Sequence, residues 1–290
     1  MPSPTEITVA RLARLVGTPD APHLLDVRID EDVDADPLLL PAARRHRFGD
    51  VESLIPTLRG ERVVVYCQKG RKLSQGAAAL LRAGGVRAET LEGGQLAWRD
   101  AGAPLVDIAA LPAPDATGAT LWVTRHRPKV DRIACPWLVR RFVDPRARFL
   151  FVAPAEVRAV AERFGAEPFD VEGARFGHRG ADGERCTFDA MLEDFGLRTD
   201  ALDRLATLVR AADTARLELA PEAAGLLAVS LGLSRAHRDD LAQLEAGLGL
   251  YDALHRWARD ATDERHDDRA SGRAPTRDPA PAAGPAGGGA

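Results

Sequence analysis

The cysteine at position 67 lies where the sequence predicts a turn between a strand and a helix. Four apolar residues, 63–66, predict a buried strand before it, and residues 74–82, closed by Gly84, predict a helix after it. Backbone N–H groups in such a turn, together with the positive end of the helix dipole, stabilise a thiolate over a thiol. The sequence therefore predicts a nucleophilic sulfur at Cys67.

The loop that follows this cysteine is cationic. It contains Lys69, Arg71 and Lys72, and no acidic residue lies within 62–88. A thiolate beside such a loop attracts small anions. A cysteine phosphatase would need an Arg six positions after the cysteine to clamp phosphate, and Leu73 occupies that position. The spacing therefore favours sulfur transfer from an anionic donor, with a persulfide as the intermediate.

The composition of the whole chain sets wider bounds. The chain has 290 residues, of which 45% are apolar, and this length predicts two domains. A formal net charge of −4 gives no nucleic-acid signature. Three widely spaced cysteines form no disulfide framework and favour a reducing compartment. There is no run of 18 apolar residues and no signal-peptide pattern at the start, so we expect a cytoplasmic protein without membrane insertion.

Further elements are predicted around Cys67. They are a helix over 8–16, strands over 24–27 and 86–91, and a helix that carries Trp98. Alternation of strands and helices at these lengths predicts a parallel sheet covered on both faces. We expect this α/β domain over residues 1–106. Residues 107–119, rich in Pro, Ala and Gly, predict a linker that would let two domains move or dock.

A strongly basic segment opens the second half of the chain. Strands over 121–124 and 148–152 flank a predicted helix over 131–143. Eight Arg or Lys residues against two acidic ones lie within 124–148, in a chain that is acidic overall. Four of them lie between the first strand and the first turn of the helix, where anions bind in α/β folds: Arg125, Arg127, Lys129 and Arg132. They predict an oxyanion or phosphate site, and a solvated basic face is the alternative.

Several residues of the second half are candidate metal ligands. His178 and Cys186 flank a Gly-rich turn, and Asp213 continues the apolar stripe of a predicted helix. The metal ion would be of unknown identity, because the spacing lacks the paired ligands of a structural zinc site. For Asp213, a helix end in solvent is the alternative. Asp131 and Cys135 are four residues apart and would share a helix face, with a buried structural thiol as the alternative for Cys135.

The remainder of the chain is predominantly helical. Helices are predicted over 200–214, over 223–233 with all faces buried, and over 238–259. The second domain, residues 120–260, is thus expected to be α+β and mostly helical toward its end. Residues 261–290 are charged and then rich in Pro, Ala and Gly, and predict a disordered tail.

Taken together, three segments of the first domain resemble a rhodanese domain. They are LLDVR at 24–28, CQKGRK at 67–72 and LEGGQLAWRDAGAPL at 91–105. The resemblance implies that Cys67 carries sulfur as a persulfide from thiosulfate or another sulfur donor to a thiol acceptor, with no cofactor required. It also implies an anion-binding loop that consists of Gln68, Lys69, Gly70, Arg71 and Lys72. The family places Arg where Lys72 stands, so a point charge here replaces a bidentate fork.

The second half resembles the C-terminal domain of the ChrB chromate-resistance family over residues 121–260. The motifs that carry the resemblance, in order, are TRHRPKVDRIACPWLVRRFVDP, FDVEG, CTFD, RAADT, APEAAGLLAVSLGLS and LYDALHRW. The resemblance implies a role in chromate resistance and in control of a chromate efflux transporter. Chromate is a tetrahedral dianion, and the basic turn after residue 124 would suit it.

Three functions are open at this point. The first is a cytoplasmic rhodanese-type sulfurtransferase fused to a chromate-resistance domain, which acts under chromate or oxyanion stress. The second is a regulatory protein without catalysis that senses chromate or a metal and controls chromate efflux. The third is a DNA-contacting role for the basic segment, although nucleic acid is not the partner that the net charge favours.

Overall fold

The computed structural model of the chain describes residues 5–180 and 184–264. The strands are β1 (Glu6–Ile7), β2 (His23–Asp26), β3 (Leu38–Leu39), β4 (Ala43–Arg45), β5 (Arg62–Tyr66), β6 (Arg87–Leu91), β7 (Val106–Asp107), β8 (Leu121–Arg125), β9 (Arg148–Val152) and β10 (Glu167–Pro168). The helices are α1 (Val9–Leu15), α2 (Asp30–Ala35), α3 (Ile55–Leu58), α4 (Lys72–Ala83), α5 (Gly94–Asp100), α6 (Asp131–Leu138), α7 (Val157–Phe164), α8 (Thr187–Phe195), α9 (Asp200–Asp213), α10 (Ala223–Ala236) and α11 (Asp240–Asp260). We call the part up to β7 the first domain and the part from β8 the second domain. The tail predicted over 261–290 lies outside the described residues from position 265 onward.

The first domain is built on a five-stranded parallel sheet with strand order β1-β6-β5-β2-β4. Strand β5 is central, and its residues alternate between two hydrophobic clusters. Val64 and Tyr66 pack into one cluster, whereas Val63 and Val65 pack into the other with Cys67. Both faces of the strand are buried because helices cover both sides of the sheet. The predicted parallel α/β domain is therefore confirmed.

A buried ion pair fixes the turn after β2. The guanidinium of Arg28 donates to both carboxylate oxygens of Asp26, and neither side chain is exposed. The same guanidinium donates to the carbonyl oxygens of Asp36 and Leu38. Four oxygen atoms thus accept hydrogen bonds from one guanidinium, which fixes the backbone at Asp36 and Leu38 to the end of β2.

The segment predicted as a linker begins in ordered contact with the first domain. Strand β7 pairs antiparallel with β3, and Ile108–Ala110 form a 3₁₀ turn whose first N–H donates to the Pro37 carbonyl oxygen. Further on, the Asp115 carboxylate accepts hydrogen bonds from Thr117 and Ala119. Hydrogen bonds therefore hold parts of the segment that connects the two domains.

The second domain begins with a three-stranded parallel sheet in the order β10-β8-β9. The helix predicted over 131–143 has two parts, because α6 ends at Leu138 and a π-helical turn continues over Val139–Val143. Pro136 lies inside α6 and removes one N–H from the helix. In the wider turn the N–H of Asp144 donates to the carbonyl oxygen of Val139.

Four helices, α8 to α11, complete the second domain, which confirms that it becomes helical toward its end. One detail of the prediction is wrong. The apolar run at 223–233 forms part of α10, but it is not buried on all faces, since Val229 and Leu231 are each 45% exposed. The packed side of α10 instead carries Leu226 together with Ser230 and Ser234.

The two domains pack against each other around Phe142. Its side chain lies over Gly17 so closely that a Cβ at that glycine would overlap the ring. The carbonyl oxygen of Phe142 accepts the N–H of Ala42 at 2.6 Å. One hydrophobic cluster contains Phe142 along with Leu12 and Trp98 of the first domain. The domains are therefore joined by a shared core as well as by the chain connection.

Candidate functional site

The thiol of Cys67 lies just past the end of β5, in a loop that a second turn supports. Cys67 is 5% exposed, and α4 begins five residues later at Lys72. Gly70 has a φ of +63°, and a Cβ there would lie 2.6 Å from the Leu91 carbonyl oxygen. A Cβ at Gly94 would overlap the carbonyl oxygen of Cys67 itself. The turn before α5 thus packs against the cysteine loop without side chains between the two backbones.

Hydrogen-bond donors surround the sulfur. The Oγ of Ser74 lies 3.3 Å from the Cys67 Sγ, and the backbone N–H groups of Lys69, Arg71 and Ser74 point at the same atom. Burial raises the pKa of the Cys67 thiol, but the hydrogen bonds from Ser74, Arg71 and Lys69 outweigh it and lower the pKa below its ordinary value. This is the amide cradle that the sequence predicts. The Ser74 hydroxyl is an addition that sequence reasoning missed, although its place in the first turn of α4 was a usable signal.

The side chains of the cysteine loop differ in exposure. Lys69, Arg71 and Lys72 are exposed, so their charges are accessible to an anion in solution. Gln68 is half-buried, and its Oε1 has no hydrogen-bond partner among the residues that the structure describes. The loop therefore combines accessible positive charge with a shielded sulfur.

A second cluster of chemically active side chains lies in the second domain, around the Nε2 of His178. This nitrogen is 3.2 Å from Asp213 Oδ2, 3.3 Å from Asp170 Oδ1 and 3.6 Å from Asp131 Oδ2. The four residues come from the start of α6, the segment after β10, the following loop and the end of α9. Asp131 and Asp170 are buried, whereas the His178 side chain is 36% exposed. We call these four residues, Asp131, Asp170, His178 and Asp213, the carboxylate–imidazole cluster.

Neighbouring donors hold the two buried carboxylates in place. The N–H of Thr187, at the start of α8, donates to Asp131 Oδ2 at 2.6 Å, and the next N–H along the chain donates to Oδ1 at 3.3 Å. Arg125 and Arg132 both contact Asp170 Oδ2, at 2.8 and 3.2 Å. Each carboxylate is thus oriented from outside the cluster.

The electrostatics of the cluster reflect this crowding. Hydrogen bonds to Asp170 and Asp213 raise the pKa of His178 to about 10, against the effect of burial. Burial and the neighbouring charges of Asp213 and Asp170 raise the pKa of Asp131. Three carboxylates are therefore crowded around one imidazole, with the guanidinium groups of Arg125 and Arg132 beside them.

Some predicted site residues meet in this cluster and others do not. His178, Asp213 and Asp131 come together, but Cys186 does not join them. It is buried before α8, with its Sγ 3.5 Å from a carboxylate oxygen of Asp189. Cys186 is thus not among the residues whose ligand atoms lie within 4.8 Å of one another, and its role as a ligand stays a prediction.

Two further results concern residues of the same region. Cys135 is fully buried, as its structural alternative predicted, and burial raises its pKa well above that of a free thiol. Asp170 was missed by sequence reasoning. A usable sequence signal was its place in the FDVEG motif.

The predicted oxyanion site does not form as a cluster. The guanidinium of Arg127 donates to the carbonyl oxygens of Ser234 and His237, which anchors the loop after β8 to the end of α10. Arg125 and Arg132 pair with Asp170, as described above, and Lys129 is exposed. Since protein acceptors occupy the three guanidinium groups, the structure does not favour the predicted binding of an oxyanion by the four residues together.

A cavity of about 1030 Å³ opens beside the carboxylate–imidazole cluster. Its lining includes Asp170 and His178 of the cluster, with Arg125, Arg158 and Gly177. Solvent and small solutes can therefore reach the exposed edge of His178. Within the described residues, no helix has the length and apolar character needed to cross a membrane.

The parallel sheet, with Cys67 in a loop between β5 and α4, gives the first domain the α/β architecture that its resemblance to a rhodanese domain predicts. The first domain is similar to several solved structures. A rhodanese-related protein from Thermoplasma volcanium is 24% identical and covers 35% of this chain and 96% of that chain, with a TM-score of 0.30. A rhodanese-like domain protein from Staphylococcus aureus is 23% identical, with 32% and 90% covered and a TM-score of 0.29. A human single domain sulfurtransferase is 24% identical, with 34% and 97% covered and a TM-score of 0.30.

The second domain matches a described family. Residues 122–258 match the family model of the ChrB C-terminal domain. Protein ChrB of Cupriavidus metallidurans is 36% identical over 176 residues, which cover 56% of this chain and 51% of that protein. The chain thus spans about half the length of this curated relative. The second domain is therefore similar to the ChrB C-terminal domain over residues 122–258.

Proposed function

We propose that the protein is a sulfurtransferase in which Cys67 carries sulfur as a persulfide. The observation that carries the proposal is the set of donors around the Cys67 Sγ, namely the N–H groups of Lys69, Arg71 and Ser74 with the Ser74 hydroxyl. These donors stabilise negative charge on the sulfur both before and after the transfer.

The reaction has two steps that balance. The Cys67 thiolate attacks the outer sulfur of thiosulfate, the S–S bond of thiosulfate breaks, and sulfite leaves with the electron pair of that bond. The resulting Cys67 persulfide anion then gives its outer sulfur to a thiolate or to cyanide, and the Cys67 thiolate returns. Lys69, Arg71 and Lys72 would hold the anionic donor near the loop. Because Lys72 is a point charge, a donor that needs no bidentate clamp is expected to be preferred.

The fusion to a ChrB C-terminal domain supports a role for this chemistry in chromate or oxyanion stress. The three thiols of the chain are free, which supports action in the reducing cytoplasm. The physiological donor would then be a cytoplasmic sulfur anion such as thiosulfate, and the acceptor a cellular thiol.

The proposal is tested by sulfur transfer from thiosulfate to cyanide, with thiocyanate as the product measured. We expect turnover by the wild type and none by Cys67→Ser. Peptide mass mapping after thiosulfate treatment should place one added sulfur on the Cys67 peptide, whereas the peptides of Cys135 and Cys186 serve as internal controls. A wild type without thiocyanate formation and without the added sulfur would rule the proposal out.

The second candidate function is a regulatory protein that senses chromate or a metal and controls chromate efflux. The observation that favours it is the cavity beside Asp170 and His178, which could admit a small ligand. Calorimetric titration of the whole chain with chromate separates the two functions. Chromate binding by a protein that lacks sulfur transfer would favour the sensor, and sulfur transfer without chromate binding would favour the enzyme.

A further inference from the structure

Three carboxylates lie near one ring nitrogen of His178, more than this nitrogen can bind by hydrogen bonds. The Nε2 of His178 lies within 3.6 Å of oxygens from Asp131, Asp170 and Asp213. A ring nitrogen carries at most one hydrogen and donates it well to one acceptor. Hydrogen bonding alone therefore does not explain why three carboxylates converge on this atom, two of them buried.

The spacing fits ligands around one ion. The ligand atoms of Asp131, Asp170 and His178 all lie within 4.8 Å of one another. Neighbouring ligands at about 2.1 Å from an ion in octahedral geometry are roughly 3 Å apart. The observed distances from His178 Nε2 to Asp170 Oδ1 and Asp131 Oδ2, 3.3 and 3.6 Å, are close to that spacing. Binding would need only a small inward movement of the side chains.

Asp131 Oδ2 and Asp170 Oδ1, the two oxygens that face His178, each accept one hydrogen bond from Thr187 and keep a second lone pair for an ion. The Oδ2 of Asp170 forms ion pairs with Arg125 and Arg132. Its Oδ1 faces His178 and accepts a hydrogen bond from the Thr187 hydroxyl. Asp131 is fixed by two N–H groups at the start of α8. Oriented carboxylates with their own hydrogen-bond partners are typical of metal ligands in proteins.

We propose that Asp131, Asp170 and His178 bind one divalent cation of the first transition series, such as Mn²⁺ or Fe²⁺, with Asp213 as a neighbouring carboxylate. One imidazole nitrogen and two carboxylate oxygens form a ligand set of this class. Soft thiophilic ions are disfavoured, since the three grouped ligand atoms are two carboxylate oxygens and one imidazole nitrogen and include no sulfur. Three protein ligands leave coordination positions for water or a small anion on the side of the cavity.

The competing explanation is that protonated His178 is itself the cation. Its raised pKa, about 10 without a metal, would then mark a structural ion-pair cluster. The two explanations differ in a measurable way. A metal site takes up one ion and loses it when a ligand is removed, whereas an ion-pair cluster takes up none.

The test uses the whole chain, freed of metal by a chelator and then titrated with Mn²⁺. Electron paramagnetic resonance follows the free aquo ion, whose signal is lost on binding. We expect the wild type to bind one equivalent, and His178→Gln and Asp170→Asn to bind at least about tenfold more weakly. His178 is partly exposed, so its variant retains the core, and circular dichroism checks that both variants are folded.

Two controls make the result specific. Glu245→Gln removes one acidic charge from an exposed pair with Arg140 and should bind Mn²⁺ as the wild type does. Cys67→Ser should also bind normally, because the proposal does not depend on sulfur transfer. The absence of Mn²⁺ binding by the wild type, together with no bound transition metal by elemental analysis of the protein as purified, would overturn the site. Equal binding by wild type, His178→Gln and Asp170→Asn would overturn it as well.

Discussion

The Oγ of Ser74 lies 3.3 Å from the Sγ of Cys67, and both atoms are buried between β5 and α4. The residues are seven positions apart, so the first turn of the helix brings a hydroxyl back to the sulfur that precedes its loop. The serine hydroxyl can donate its hydrogen to the thiolate or to the Arg71 carbonyl oxygen, which lies 3.1 Å away, whereas an alkyl group can donate to neither. This contact connects the start of α4 to the reactivity of the thiol.

The first prediction concerns this contact. Ser74→Ala removes the hydroxyl without adding volume, so the pKa of Cys67 should rise toward that of an ordinary thiol. The rate of alkylation by iodoacetamide, measured against pH, should move to higher pH. Ser53→Ala, an exposed serine of the same domain, is the matched control and should leave the profile in place. An identical profile for wild type and Ser74→Ala would show that the backbone N–H groups alone set the pKa.

The second prediction concerns the turn beneath the cysteine loop. Gly94 has a φ of +63°, and a Cβ there would overlap the Cys67 carbonyl oxygen, whereas Gly102 has a φ of +67° with open space around it. Both Ala variants carry the backbone cost of a positive φ, roughly 1 kcal/mol, and only Gly94→Ala adds overpacking of about 1–3 kcal/mol. Urea unfolding should therefore show a larger loss of stability for Gly94→Ala than for Gly102→Ala. Equal losses would mean that the loop moves aside at no cost.

The cysteine site could be predicted from sequence because its parts are close together in the chain. The strand, the loop glycine and the helix all lie within 62–83, and local patterns determine each of them. Ser74 was missed because a contact between side chains depends on how the helix is placed. The carboxylate–imidazole cluster was harder to predict from the sequence, since Asp131, Asp170 and His178 meet only after β8 and β10 pair.

The surroundings of Cys186 and of the apolar run in α10 could not be predicted, for the same physical reason. Cys186 was predicted as a ligand from its residue type, and the structure buries it before α8 beside Asp189. The apolar run in α10 predicted burial on all sides, yet Val229 and Leu231 are exposed. Composition reports what a segment contains, and only the packing of the other elements decides which face is covered.

The third prediction is a pH dependence of stability. Burial, and then the charge of Arg259, lower the pKa of His255 to about 4 in the folded protein. An unfolded histidine has a pKa near 6.5, so between about pH 6.5 and 4 the unfolded state binds more protons than the folded state. The contribution of neutral His255 to the free energy of unfolding is therefore fully present above about pH 6.5. It is lost as the pH falls toward 4, and the loss is at most about 3 kcal/mol for this group.

The measurement compares urea unfolding at pH 7 and pH 4.5. His255→Gln cannot take up this proton, so its stability should fall less than that of the wild type between the two pH values. His23→Gln is the control, because His23 is exposed, and it should follow the wild type. A wild type and a His255→Gln variant with the same loss would show that protonation of His255 is not penalised in the fold.

The fourth prediction concerns the buried pair of Asp26 and Arg28, whose side chains are both inaccessible to solvent. Arg28→Met leaves the Asp26 carboxylate without its cation and the carbonyl oxygens of Asp36 and Leu38 without a donor. Loss of one partner of a buried pair costs about 3–5 kcal/mol, because the remaining charge stays desolvated. In the double variant Asp26→Leu with Arg28→Met no charge remains, so part of that loss should be recovered. Urea unfolding of the wild type, both single variants and the double variant gives the coupling energy of the pair. A double variant less stable than Arg28→Met would mean that the carbonyl contacts, and not the ion pair, are the main reason for a guanidinium at this position.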